Sequence, residues 1–180
     1  MRGSRIAALV LPLALIACGG RSTPSAPTST PGPTGVLFNV VPGPYSLGLT
    51  MSATGEPICN GGFCTFISLC SGTQSPPLVN TFTTGVRLDR SGDAVTIRPE
   101  DSSATLRIDL RIDGSAAGGT VSGQFRDGAH QVAVLAAGGQ PAAMTGAVLE
   151  SALAGRIVGQ VEADGYGCSN NGHTWTLTPR

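Results

Sequence analysis

From Val36 onward, apolar and polar residues alternate with period two. The clearest run is Leu106, Ile108, Leu110 and Ile112 interleaved with Arg107, Asp109, Arg111 and Asp113. Successive side chains of a strand point to opposite faces, so this run predicts a strand with one wet and one apolar face. The same parity holds for Tyr45, Leu47, Leu49 and Met51 against Ser46, Gly48, Thr50 and Ser52, and for Val86 and Leu88 against Arg87 and Asp89. Val95 and Ile97 follow the tetrad Arg90-Ser91-Gly92-Asp93, whose polar and Gly residues suit a tight hairpin turn. Further turns are expected at Gly114 to Gly119, Asp127-Gly128, Gly138-Gly139 and Asn170-Asn171-Gly172. Pro141 to Leu153 is Ala-rich; it is read as strand, with a short helix opening at the Pro as the alternative.

An internal echo supports a repeated strand design. Gly119-Thr-Val-Ser-Gly-Gln-Phe125 returns 36 positions later as Gly155-Arg-Ile-Val-Gly-Gln-Val161. Glycine inside a strand marks a sharp bend or a close approach of another backbone. With about eight to ten strands and no helical layer, the apolar faces must meet one another. The expected fold is therefore all-β: an antiparallel meander forming a closed or nearly closed barrel of lipocalin-like architecture, with a β-sandwich as the alternative.

Composition sharpens this picture. The 180 residues include 26 Gly and 13 Pro, dense turn chemistry, and only 12% are charged while 41% are hydrophobic. That balance excludes a solvated disordered chain and a long-helix protein. All eleven bases are arginines, matched by eleven acids, and none forms a block that would grip nucleic acid. Eight aromatics are too few for the two interfacial girdles of a transmembrane barrel.

The N-terminus carries a second message. Arg2 and Arg5 precede an apolar run from Ile6 to Ile16, the length of a secretory h-region and too short to span a bilayer. The run ends in Leu15-Ile16-Ala17-Cys18, which resembles the lipobox of bacterial lipoproteins. The resemblance implies cleavage before Cys18, diacylglycerol on its thiol and a fatty acyl group such as palmitate on its amine. Such a residue tethers a domain to a membrane without a transmembrane helix. Residues 19–35, with Pro24, Pro27, Pro31 and Pro33 among Ser and Thr, read as an extended solvated stalk. The expected organisation is a signal peptide over 1–17, a lipidated N-terminus and tether over 18–35, and one β-domain over 36–180. Gly19, where an Asp would resemble an inner-membrane retention signal, favours the outer membrane or cell surface of a bacterial envelope. From Cys18 onward, 9 Arg stand against 11 acids, a net charge of −2. Together with the closing run Cys168 to Thr178, the pattern resembles uncharacterised small β-barrel lipoproteins of some GC-rich environmental bacteria, a resemblance that implies fold and no activity.

Four further cysteines, Cys59, Cys64, Cys70 and Cys168, form an even set in an exported chain, so two disulfides are expected. On one strand Cys64 and Cys70 would lie too far apart to bond. Cys59 and Cys64 flank the turn Asn60-Gly61-Gly62, which would leave Cys70 to Cys168; Cys59 to Cys168 is the alternative. The C-x4-C-x5-C spacing lacks the paired C-x2-C knuckles of structural zinc, so no metal and no cofactor are expected.

Catalytic chemistry has few candidates. Only His130 and His173 are present, and no nucleophile elbow, zincin pair, P-loop or dinucleotide fingerprint occurs. Gly118-Gly119 reads as a turn. Arg107, Asp109, Arg111 and Asp113 read as a solvated cross-strand charge ladder. His173, Trp175 and Leu177 share the inward parity of the last strand while Thr174, Thr176 and Thr178 face outward. His173 and Trp175, with Tyr45, are the candidate ligand-binding residues; a core Trp175 and a hydrogen-bonded His173 at the rim are the plain structural reading. The expectation is a non-enzymatic envelope lipoprotein binding a small apolar ligand or an envelope partner, with no nucleic acid. A passive module with a solid core is the alternative, and a hydrolase with an acid beside His173 ranks below both.

Overall fold

A computed structural model describes residues 38–60, 62–72, 76, 80–135 and 140–180. The expected signal peptide, Cys18, the tether and the Gly138-Gly139 turn lie outside the described residues. Twelve strands and no helix are found among them: β1 (Gly43–Thr50), β2 (Ile58–Asn60), β3 (Phe63–Thr65), β4 (Leu69–Gly72), β5 (Thr81–Ser91), β6 (Ala94–Pro99), β7 (Arg107–Asp113), β8 (Ala116–Asp127), β9 (His130–Leu135), β10 (Ala142–Val148), β11 (Leu153–Ala163) and β12 (Tyr166–Pro179). Every pairing is antiparallel, and the ladders run β1-β5-β6-β7-β8-β10-β11-β12 and back to β1, a closed ring of eight. The expected all-β meander is present, and the Ala-rich stretch after Pro141 is strand β10.

Closure explains the parity of the sequence. Leu47, Leu49, Val86, Leu88, Ile97, Ile108 and Leu110 are buried inside, while Arg87, Asp89, Arg107 and Arg111 face outward. Each fully buried aliphatic side chain contributes about 1.5–3 kcal/mol, and a ring leaves few strand edges open. Arg107 pairs with Asp109 two residues along its own strand, at 2.6 Å, and Thr96 across the sheet donates to the same carboxylate at 3.0 Å. The charge ladder is thus along-strand for this pair, and not cross-strand as the pattern suggested.

The repeat occupies equivalent places. β8 and β11 flank one strand position that is filled by two strands end to end: β10 pairs with both, and so does β9. β8 passes from β10 to β9 between Val121 and Gly123, and β11 passes from β10 to β9 between Val158 and Gln160. Gly123 and Gly159, the second glycines of the echo, therefore sit where the partner changes. Gly123 adopts φ +105°, a conformation that side chains oppose, and a Cβ there would lie 2.3 Å from the Thr105 carbonyl oxygen.

Two expected turns proved shorter or absent. Only Gly114-Ser115 turns between β7 and β8; Ala116 to Gly119, including Gly118-Gly119, lie within β8, because both of its edges are paired there. Asn170-Asn171-Gly172 is a bulge inside β12: two residues, 171 and 172, stand against one, Val158, between the pairs Ile157–His173 and Gly159–Asn170.

The two ends of the ring are closed differently. At one end Phe38 N–H donates to the Leu149 carbonyl at 2.8 Å, Arg90 Nη1 donates to the Val40 carbonyl at 2.7 Å, and the Tyr45 hydroxyl donates to the Val41 carbonyl at 2.8 Å. The entering segment is thus fixed over the β10–β11 end. At the other end the chain after β1 makes an excursion through β2, β3 and β4 before returning at β5.

Candidate functional site

β12 gives its early residues Tyr166–Ser169 to β4 and its later residues Tyr45-facing Pro179 back to Thr174 to β1, both on the same edge. The bulge fills the interval between these two partners. It directs Asn170, Asn171 and His173 at the chain that leaves β1. Asn170 Nδ2 donates to the Ser52 carbonyl at 2.8 Å and to Ser68 Oγ at 3.1 Å; Asn171 Oδ1 accepts from Glu56 N–H at 2.8 Å. Arg156 of β11 adds an ion pair to Glu56 at 3.0 Å.

His173 is fully buried in this joint. Its Nδ1 accepts from Ser52 N–H at 3.0 Å, and its Nε2 lies 3.1 Å from the Cys168 carbonyl, which fixes the neutral tautomer with the proton on Nε2. Burial pushes the imidazole pKa down, opposed by hydrogen bonds to the Cys168 and Gly159 backbone. The linkage sign follows. Below about pH 6.5 the unfolded chain takes up a proton that the folded chain resists, so stability that is full above that pH falls as pH drops toward the depressed folded pKa, by up to about 1.4 kcal/mol per pH unit. Urea midpoints measured from pH 7.5 to pH 5 are expected to fall more steeply for the wild type than for His173→Asn. The difference between the two curves isolates His173 from His130; parallel curves would contradict the assignment.

Trp175 and Tyr45 are equally interior. Trp175 stands in register with Gly155, and a Cβ on Gly146, the partner of Gly155 across β10 and β11, would lie 2.7 Å from Trp175 Cζ2. Gly146 makes room for the indole, while Gly155 lets the β10 backbone come close; the indole Nε1 donates to the Thr145 carbonyl at 3.1 Å. Tyr45 packs edge-on against Phe38, with ring centroids 6.1 Å apart. All three candidate residues are therefore built into the core and their polar atoms are engaged. Trp175 is a core residue as the plain structural reading has it, and His173 is hydrogen-bonded but fully buried and not at a rim.

The acid that a hydrolase would need is beside the other histidine. His130 Nδ1 lies 2.6 Å from Asp164 Oδ2, and Asp164 Oδ1 accepts from Gln131 N–H at 2.8 Å. The His130 hydrogen bond, followed by that from Gln131, holds the Asp164 carboxyl below its usual range. Asp164 occupies the left-handed region, φ 52°, in the β11–β12 turn, so this pair ties that turn to β9. Grooves of about 350 Å³ and 460 Å³ run over the outer face beside it, lined by Gln124, Arg126 and Gln131 among others. Among the described residues no hydroxyl or thiol hydrogen-bonds His130, and no cluster of three or more His, Cys, Asp or Glu side chains is arranged to hold a metal.

The cysteines form the bridges Cys59–Cys64 and Cys70–Cys168, the pairing that the Asn60-Gly61-Gly62 turn suggested. The first joins β2 to β3, which pair as a small separate hairpin; the second joins β4 to β12. Cys64 and Cys70 do not share one strand: the chain from Phe63 to Leu69 is broken at 66–68, which lets the two cysteines serve different partners. On this stapled finger Ile58, Phe63, Phe66, Ile67 and Leu69 are 50%, 85%, 65%, 58% and 75% exposed. Only the cysteines of this segment are candidates by sequence; the apolar side chains around them are not among the residues singled out above. The signal was available: residues 58–72 contain five large apolar side chains and no charge.

Fold and site together define a class: an antiparallel all-β ring with an aliphatic core, bearing an apolar, disulfide-stapled finger at one end. Compared with protein-family models, with curated proteins and with solved structures, the chain matches none.

Proposed function

We propose that the chain is a lipid-anchored protein of a bacterial cell envelope, held through Cys18, that acts by binding and not by catalysis. Its binding surface is on the outside, on the stapled finger. The observation that carries this reading is a contrast within one domain. The inward-facing candidates His173, Trp175 and Tyr45 are packed and hydrogen-bonded, whereas five large apolar side chains stand in solvent on a cross-linked projection. A folded chain exposes a cluster of that kind where it meets another surface. The anchoring half of the proposal rests on Arg2, Arg5, the Ile6 to Ile16 run and the lipobox-like Leu15-Ile16-Ala17-Cys18.

Both halves have a direct test. Cells expressing the chain and fed labelled palmitate are expected to yield a labelled product, and Cys18→Ser an unlabelled one; an unlabelled wild type would remove the anchor. Titration of the folded domain with fatty acids and hydrophobic dyes is expected to leave Trp175 fluorescence without a saturable change. A saturable change would return the binding site to the interior of the ring.

A further inference from the structure

The geometry points to a lipid bilayer as the surface that the finger meets. This deepens the proposal above, since it names the partner of the same outer surface. The finger has the chemistry of an interfacial insertion. Its large exposed side chains are Phe, Ile and Leu, with the small polar Asn60, Thr65 and Ser71 exposed among them, and residues 58–72 carry no formal charge. The residues that carry most of the energy of protein interfaces are Trp, Tyr and Arg, side chains that pair apolar contact with directional hydrogen bonds. None of these three residue types occurs between Ile58 and Gly72. A bilayer offers apolar depth and few directional partners, which is what these side chains can use.

Backbone and dimensions agree with that occupant. A segment entering an apolar phase must satisfy its own peptide groups, and β2 and β3 pair with each other through Ile58–Thr65, Cys59–Cys64 and Asn60–Phe63. Strands of three residues extend about 10 Å, the depth to which interfacial elements enter the headgroup and acyl boundary. The Cys59–Cys64 and Cys70–Cys168 bridges hold the finger's shape beforehand, so little ordering is needed on contact. Charge returns just behind it, at the Glu56–Arg156 ion pair.

The tether makes the encounter possible. Phe38 enters at the end of the ring opposite the finger, and the fourteen residues of β12 reach at most about 46 Å. The twenty residues from Cys18 to Phe38 span up to about 70 Å. An acylated Cys18 therefore leaves enough chain for the finger to reach the bilayer that holds the anchor. The second contact is then effectively intramolecular, and even a weak insertion is populated. Its result is orientation: the domain is turned finger-down, with the polar outer wall and the Phe38 end presented to the surroundings.

Residues 35–180 form a self-contained unit with its own core, closed ladders and both disulfides, so this part can be tested without lipid. The unit carries 8 Arg against 11 acids, a net charge of −3, and its finger has no base. The oxidised, unacylated domain is expected to float with phosphatidylcholine vesicles. Adding one-fifth phosphatidylglycerol is expected not to strengthen binding, nor 1 M salt to weaken it. Phe63→Ser with Phe66→Ser is expected to lower the partition coefficient at least tenfold, with circular dichroism and Trp175 fluorescence unchanged because both side chains are largely exposed. Failure of the wild-type domain to float, or equal flotation of the double variant, would overturn the inference. So would a wild-type dimer that the double variant converts to monomer with no vesicle binding, which would assign the finger to a second copy of the chain. Because the assay uses no acyl group, it is independent of the palmitate result, and failure of the anchor leaves it readable.

Discussion

Cys70→Ser is expected to lower the unfolding free energy of the oxidised domain by about 4–5 kcal/mol, the largest effect of any single side chain outside the core. The Cys70–Cys168 bridge closes a loop with a sequence separation of 98, and in the chain-entropy description a loop of that size restrains the unfolded chain by about this amount. Cys59–Cys64 closes a separation of 5, for which the same relation gives only about 2 kcal/mol. The second contrast is structural. Cys168 is buried, and its carbonyl accepts from His173, so loss of the long bridge also loosens the joint that seats β4 on β12. Urea unfolding of Cys70→Ser beside Cys59→Ser with Cys64→Ser measures the difference. Equal losses would show that β4 is held by its ladder and that the bridge adds little.

Gly155→Ala is expected to cost more than about 3 kcal/mol, or to prevent folding, whereas Gly118→Ala is expected to be neutral or stabilising by about 0.4–1 kcal/mol. A Cβ at Gly155 would lie 1.8 Å from the Thr145 carbonyl oxygen and 2.4 Å from the Gly146 Cα, which are backbone atoms with no rotamer to move aside. At Gly118 the nearest atom, the Met144 carbonyl oxygen, is 3.9 Å away. Both glycines are within paired strands, so propensity alone does not separate them. Thermal melts followed at Trp175 report the outcome directly, since the indole lies beside Gly155 and Gly146. A wild-type melting curve for Gly155→Ala would mean that β10 and β11 can separate without loss of the ring.

The echo of Gly119 to Phe125 in Gly155 to Val161 was legible as a repeat, and both first glycines do meet a neighbouring backbone closely: a Cβ on Gly119 would lie 2.0 Å from the Asp109 carbonyl oxygen. Its meaning was not legible. That the second glycines mark the change from β10 to β9 depends on two strands sharing one place in the wall, and no local pattern announces this. Asn170-Asn171-Gly172 shows the opposite limit. Its composition is that of a turn, yet β11 remains paired on both sides of it, so the chain bulges and continues. The finger was hidden for another reason. A cluster of apolar residues in sequence predicts burial, and exposure appears only when the ring is seen to be filled without them.

What the sequence determined by itself was whatever rests on period and composition. Alternation set which side chains face in, the turn residues set most hairpins, and the Gly-rich spacer between Cys59 and Cys64 pointed to the pair that bonds. These are local properties, carried by neighbouring residues along one strand or turn. Tertiary structure alone decided that β1 meets β12 to close the ring, that His173 and Trp175 find hydrogen-bond partners in Ser52 and Thr145 while His130 finds Asp164, and that the stapled finger remains in solvent. Each of these depends on contacts between residues far apart in the chain, whose geometry exists only once the strands have closed.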